Sequence, residues 1–104
     1  MIYELRTYQM KMGEIPQYLA IAENRLLPAL SEHGLKPVGF WTTDIGTLNE
    51  VVHLWAYQDL NERQEKWAKW AQDPRRPVFM KELGQIIISQ SNKILSPVTF
   101  SGLK

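Results

Sequence analysis

The sequence predicts an α+β domain built on one antiparallel β-sheet, and three observations carry that expectation. Residues 2–9, 36–44, 50–57 and 85–95 read as strands, and the side chains of the first and third divide between two faces with a period of two. Helical periodicity fills the spaces between the first and second strands and between the third and fourth. No internal repeat or low-complexity stretch interrupts this order, and 104 residues leave room for a single domain, 1–104.

The first strand puts Tyr3, Leu5 and Thr7 on one side and Ile2, Glu4, Arg6 and Tyr8 on the other. Met12 and Gly13 break it. Ile15, Tyr18, Leu19, Ala22, Leu26, Leu27 and Leu30 then recur at helical spacing as one broad apolar stripe. Pro16 falls in the first turn, where a missing N–H does little harm. Pro28 leaves the Asn24 carbonyl without its helical donor, so the helix is expected to kink or restart there. His33 and Gly34 form the ending, with glycine in the left-handed position and the imidazole beside the negative end of the helix dipole.

The second and third strands, joined by a turn over 45–49 containing Gly46, read as a hairpin. The third strand is the most informative, since Val51, His53, Trp55 and Tyr57 share one face and Val52, Leu54 and Ala56 the other. The smaller aliphatic set is expected under the helices, and the ring-bearing set on the opposite face. Asp59 with Glu62 has the spacing of an N-terminal capping box. The helix that follows packs Leu60, Trp67, Ala68, Trp70 and Ala71, with Trp67 and Trp70 read as core. Asp73 and Pro74 open a shorter helix carrying Val78, Phe79, Met80 and Leu83, stopped by Gly84, with Arg75 and Arg76 on a solvated face. The last strand ends before Pro97, and its stretch through Gln90 and Asn92 to Leu95 is expected to overrun its own sheet.

The order β-α-β-β-α-β, with right-handed crossovers, gives a ferredoxin-like four-stranded antiparallel sheet with both helical layers on one face. The bare face would be an apolar patch of a kind monomers rarely expose, so a two-fold homodimer with sheet against sheet is expected.

Composition excludes several functions. Twelve Lys and Arg against eleven Asp and Glu give a net charge of +1 without a concentrated basic face, which disfavours nucleic acid. The absence of cysteine removes disulfides, thiolate catalysis and cysteine-ligated metals. No apolar run approaches the roughly 20 residues that span a bilayer, and no charged-then-apolar leader precedes the first strand, so the expectation is a cytoplasmic protein off the membrane. Two histidines without HxxxH spacing predict no metal site, and the lack of a glycine-rich loop or a nucleophile elbow predicts no nucleotide cofactor and no catalytic triad.

Chemistry-bearing residues gather where the first strand lies beside the third. Arg6, Tyr8, His53, Trp55 and Tyr57 are candidate ligand-binding residues, with Trp41 on the second strand added. On the functional reading they orient a small planar or anionic ligand: Arg6 offers a fork of donors, His53 a proton acceptor near neutrality, and the rings apolar walls. On the structural reading His53 and Arg6 are bonded to Glu4 or to backbone and hold two subunits together. Trp41 beside Thr42 and Thr43 is also ordinary strand sequence.

Three segments carry a family resemblance: Ile-Tyr-Glu-Leu-Arg-Thr-Tyr at 2–8, Gly-Phe-Trp-Thr-Thr-Asp-Ile-Gly-Thr-Leu-Asn-Glu-Val-Val-His-Leu-Trp-Ala-Tyr at 39–57, and Ser-Gln-Ser-Asn-Lys-Ile-Leu-Ser-Pro at 89–97. Together they resemble the NIPSNAP family over nearly the whole chain. The resemblance implies the dimeric α/β-barrel superfamily and supplies no catalytic residues. Animal relatives are associated with mitochondria and protein–protein contacts, whereas short single-domain versions look bacterial. The implied function is an uncharacterised homodimeric domain with a structural or small-molecule-binding role. Two alternatives stand beside it: a small cofactor-independent enzyme of monooxygenase or isomerase type, acting on an aromatic or lactone substrate, and a haem-binding protein.

Overall fold

A computed structural model describes residues 1–104. The chain runs β1 (Ile2–Met10), α1 (Ile15–Ile21), a π-helical segment (Ala22–Leu26), α2 (Leu27–Ser31), β2 (Pro37–Thr42), β3 (Glu50–Tyr57), α3 (Leu60–Ala71), α4 (Arg76–Gly84) and β4 (Ile87–Leu95). The α+β class, the element order and the four-stranded antiparallel sheet match the sequence reading.

The barrel does not. The sheet has the order β2-β3-β1-β4, with β2 and β4 as free edges on opposite sides. Closure would require those two strands to pair, and each pairs only with its single neighbour, β2 with β3 and β4 with β1. Strands spaced about 4.8 Å apart make a ribbon of four too narrow to curl around a core. The sheet is therefore open. Nor does β4 overrun it: β4 pairs with β1 along its whole length, from Met10↔Ile87 to Tyr3↔Leu95, with one irregularity at Gln9/Met10.

The register fixes the faces. Glu4 lies opposite Trp55, Arg6 opposite His53 and Tyr8 opposite Val51, so these six share a side, and Phe40 joins them opposite His53. That side is the one under the helices: Tyr8, Val51, Trp55 and Tyr57 belong to one core cluster with Tyr18, Ile21, Leu26, Leu30, Trp70, Phe79 and Leu83. The ring-bearing face of β3 is thus the buried one, reversing the expected assignment. The uncovered face carries Leu5, Val52, Leu54 and Ala56, all half-buried, and Trp41. The larger rings reach further across the gap between sheet and helices, and they fill it where Val and Ala would leave voids. Part of the uncovered face is met by the chain's own C-terminal segment, where Pro97, Val98 and Leu103 surround a hollow with Tyr3 and Leu54.

The first helical stretch contains the anticipated break, in the form of a widened turn. The Leu27 N–H reaches back five residues to the Ala22 carbonyl. Helix α2 restarts with Pro28 in its first turn, where no N–H is required. It ends as expected at Gly34, with φ +75° and a Leu35 N–H bonded to the Leu30 carbonyl at 3.1 Å. Asp59 caps α3, its side chain accepting from the Glu62 N–H at 2.8 Å, while Glu62 accepts from the N–H of Gln58 rather than of Asp59.

Three helical details differ from the sequence reading. Trp70, Phe79 and Leu83 are buried, but Leu60, Ala68, Val78 and Met80 are exposed. His33 does more than face a dipole, pairing with Asp73 at 2.9 Å; Arg75 also grips Asp73, at 2.7 Å, and reaches Glu32. This knot ties the end of α2 to the start of α4. Finally, α4 closes at Gln85 in right-handed geometry, so Gly84 ends it without a left-handed turn. No helix is long and apolar enough to cross a membrane.

Candidate functional site

Between the sheet and its helices lies a cleft of about 460 Å³, lined by 19 residues of which 13 are hydrophobic. Strands β1, β2 and β3 supply its floor with Arg6, Tyr8, Phe40, His53 and Trp55. Leu26, Leu27 and Leu30 form one wall, Trp67 and Trp70 of α3 another, and Met80 and Leu83 of α4 a third. The apolar majority suits a ligand whose body is hydrophobic.

The floor is organised by a buried carboxylate. Glu4 is 0% exposed and accepts from Arg63 Nε at 3.1 Å and Nη2 at 2.9 Å, from the Tyr57 hydroxyl at 2.8 Å, and from Asn92 Nδ2 at 2.8 Å. Trp67 Nε1 donates to the Tyr57 oxygen at 2.7 Å, extending the network onto α3. Burial opposes the Glu4 charge, but the Arg63 hydrogen bonds, the nearby Arg6 charge and the Tyr57 bond outweigh it and hold the carboxyl down at about 2. A second arginine follows from strand alternation, since Arg6 sits two residues on and on the same face. Its Nη2 and Nε approach Glu4 only to 3.4 Å, longer than an ordinary hydrogen bond. Its guanidinium instead lies over the Trp67 ring, 4.1 Å from the centroid.

His53 is the second centre. Its ring stacks on Phe40 with centroids 3.8 Å apart, and Tyr8 closes the other approach at 4.7 Å. Nε2 is hydrogen-bonded to the Tyr18 hydroxyl at 3.1 Å. Burial, with the Arg6 charge behind it, pushes the imidazole down to about 3, so it is neutral at physiological pH. Burial likewise raises the phenols of Tyr8 and Tyr18, which keep their protons.

Three buried polar atoms in this region have no hydrogen-bond partner: Arg6 Nε, His53 Nδ1 and Trp55 Nε1. All three residues line the cleft, and His53 and Trp55 are only 4% and 3% exposed. Buried polar groups are nearly always paired, so three orphans on one floor mark a place where a partner is missing.

Of the six sequence candidates, Arg6, Tyr8, His53 and Trp55 line the cleft. Tyr57 is buried just behind it, in the Glu4 network. Trp41 lies on the opposite face of the sheet, 53% exposed, with its ring laid over Gly39. The sequence reading missed Tyr18, Phe40, Arg63 and Trp67 as site residues. Arg63 and Trp67 had a legible signal in their i, i+4 spacing, which stacks both on one side of α3. Tyr18 had one too, as the only polar-tipped ring on the first helical stripe. The free His53 nitrogen also bears on the haem alternative: with Nε2 engaged and the ring packed between Phe40 and Tyr8, nothing here favours axial ligation.

A family model described as NIPSNAP matches residues 3–102. The chain is 36% identical to human Protein NipSnap homolog 3A, an alignment that takes in 99% of this chain and 42% of that protein. It therefore spans less than half the length of the curated relatives it matches. It is also similar to a crystal structure of a NIPSNAP family protein of unknown function from Agrobacterium tumefaciens, at 38% identity and a TM-score of 0.93, covering 100% of this chain and 94% of that one. An uncharacterised NIPSNAP domain protein from Burkholderia xenovorans matches at 33% identity and a TM-score of 0.91, over 97% and 98% of the two chains.

Proposed function

This chain belongs to the NIPSNAP family, and we propose that it works as a homodimeric binding domain that holds a small, largely apolar molecule between its sheet and its helices. The observation that carries this reading is the 460 Å³ cleft, floored by aromatic rings and by buried polar atoms without partners. Binding is favoured over acid–base catalysis by the two titratable groups at the centre. An imidazole held at about 3 and a carboxylate held at about 2 are both weak bases and are both deprotonated near neutrality, so neither suits proton transfer there.

Support for self-association comes from the uncovered sheet face, with Leu5, Val52, Leu54 and Trp41, and from the β4 edge, where Ile88, Ile94 and Leu95 are exposed. Analytical ultracentrifugation at micromolar concentration should return twice the chain mass, and Leu54→Arg should shift it toward one; a wild-type monomer at that concentration rules out the dimer. For the binding role, crystals soaked with bicyclic aromatic fragments should show density against Phe40, Trp55 and Trp67. Fragments found only outside the cleft would count against it.

A further inference from the structure

We propose that the cleft selects ligands carrying an acceptor-only anionic head, a carboxylate or an enolate oxygen, which is held by Arg6 Nε, His53 Nδ1 and Trp55 Nε1. This rests on the binding role argued above and names the chemical class of ligand for the same site.

The three residues are neighbours on the cleft floor. Arg6 and His53 are direct cross-strand partners on β1 and β3. The Arg6 guanidinium carbon is 5.9 Å from the Trp55 ring centroid, and the His53 and Trp55 rings are 6.2 Å apart. Each atom is buried and makes no hydrogen bond within the chain, Arg6 Nε standing 3.4 Å from the Glu4 carboxylate. What they offer is donors. The Arg6 Nε and Trp55 Nε1 atoms can only donate. For His53 the tautomer is tied to the direction of its bond with the Tyr18 hydroxyl, 3.1 Å from Nε2, and the proposal takes that hydroxyl as the donor. With that hydroxyl donating to Nε2, the neutral ring carries its hydrogen on Nδ1. All three orphans are then N–H groups, and a group that both donates and accepts would set its own donor against one of them.

Charge points the same way. No Asp or Glu lines the cleft, and Glu4, behind its floor, already accepts two hydrogen bonds from Arg63 and one each from Tyr57 and Asn92. Arg6, which meets Glu4 only at 3.4 Å, and Arg76, which lines the cleft from α4 and makes no ion pair, remain as surplus cations. A carboxylate placed against Arg6 would accept from all three N–H groups while its hydrophobic body lay on Trp67 and the leucine wall.

Naphthalene-2-carboxylate and naphthalene-2-carboxamide have one shape but differ in this head group, and near neutral pH the first is an acceptor only. Calorimetric titration of the full chain should show the carboxylate binding about tenfold more tightly, because the amide NH2 must face a donor. Nuclear magnetic resonance provides a second readout, since the Trp55 indole N–H signal should move downfield with the carboxylate and much less with the amide. In Arg6→Gln the ratio of the two affinities should collapse toward one; should that variant fail to fold, the wild-type ratio and the Trp55 signal decide the matter without it. Equal affinities, or a Trp55 signal indifferent to the carboxylate, overturn the head-group assignment and leave the cleft standing as a general apolar site. If neither compound binds, the cleft reading itself fails.

Discussion

Arg63 of helix α3 holds the fully buried carboxylate of Glu4 on strand β1 through two hydrogen bonds, 3.1 Å from Nε and 2.9 Å from Nη2. This fork–fork pair is the main polar tie between the sheet and its second helical layer, and it sets the height of Trp67 one turn further along α3. Glu4→Gln keeps the shape but leaves two arginines facing an amide. It is expected to lower the free energy of unfolding by about 3–5 kcal/mol, read from the urea midpoint. The pH dependence has a definite sign. A folded carboxyl held at about 2, against an ordinary 4.5, stabilises the fold above 4.5, and that contribution is lost as the pH falls from 4.5 through 2. The variant should lack this slope; equal slopes for the two proteins would mean that Glu4 is not held as an ion.

His53 contributes a second slope of the same direction. Its folded value of about 3 lies below the ordinary 6.5, so between these values the unfolded chain takes a proton that the folded chain refuses. Stability falls as the pH drops through that window, by up to about 1.4 kcal/mol per unit. In nuclear magnetic resonance the His53 ring signals should stay constant between roughly pH 8 and 5. A midpoint near 6.5 would show that the ring is solvated, contrary to its stacking on Phe40.

The cap of α3 permits a local test. Asp59→Ala removes the acceptor for the Glu62 N–H and should cost about 1 kcal/mol in a thermal or urea melt. Because Arg63 is in the first turn, amide exchange at Arg63 and Gln64 should quicken as well. No change in either would mean that the Glu62 bond to Gln58 is enough to hold the helix start.

Gly39 gives a prediction on the opposite face. A Cβ there would come within 2.0 Å of the Trp41 ring, which is half-exposed and free to turn outward. Gly39→Ala should therefore displace the Trp41 indole signal strongly while changing stability by less than about 1 kcal/mol. A large loss of stability would show that the ring is locked in place.

How much of this was legible follows from particular residues. The alternation along β3 separated Val51, His53, Trp55 and Tyr57 from Val52, Leu54 and Ala56 correctly, because a period of two needs only the chain itself. Which set lies under the helices was not legible, since that depends on how far the helices stand off the sheet. Trp41 joins the expected site only as an aromatic on the second strand. The register places Phe40 opposite His53 and Trp41 opposite Val52, after a shift between Pro37 and Gly39 that composition does not announce. The orphaned N–H groups depend on three-dimensional convergence and left no trace in the spacing. The widened turn did leave one. Tyr18, Ala22, Leu26 and Leu30 recur at intervals of four, and over twelve residues a regular helix would carry Leu30 roughly 120° away from Tyr18. Pro28 was read as the cause of the break, but this drift also demanded one.

That turn takes up one extra residue. Its i to i+5 bond advances the chain by less angle per residue than an α-helix, which brings Leu30 back over the face of Tyr18. Dropping one residue from Ala22–Leu26 would leave eleven steps between them, and a regular helix turns those through roughly 1,100°, within about 20° of whole turns. Relatives one residue shorter at this point are therefore expected to have an unbroken helix here and still keep the leucine wall above the same floor.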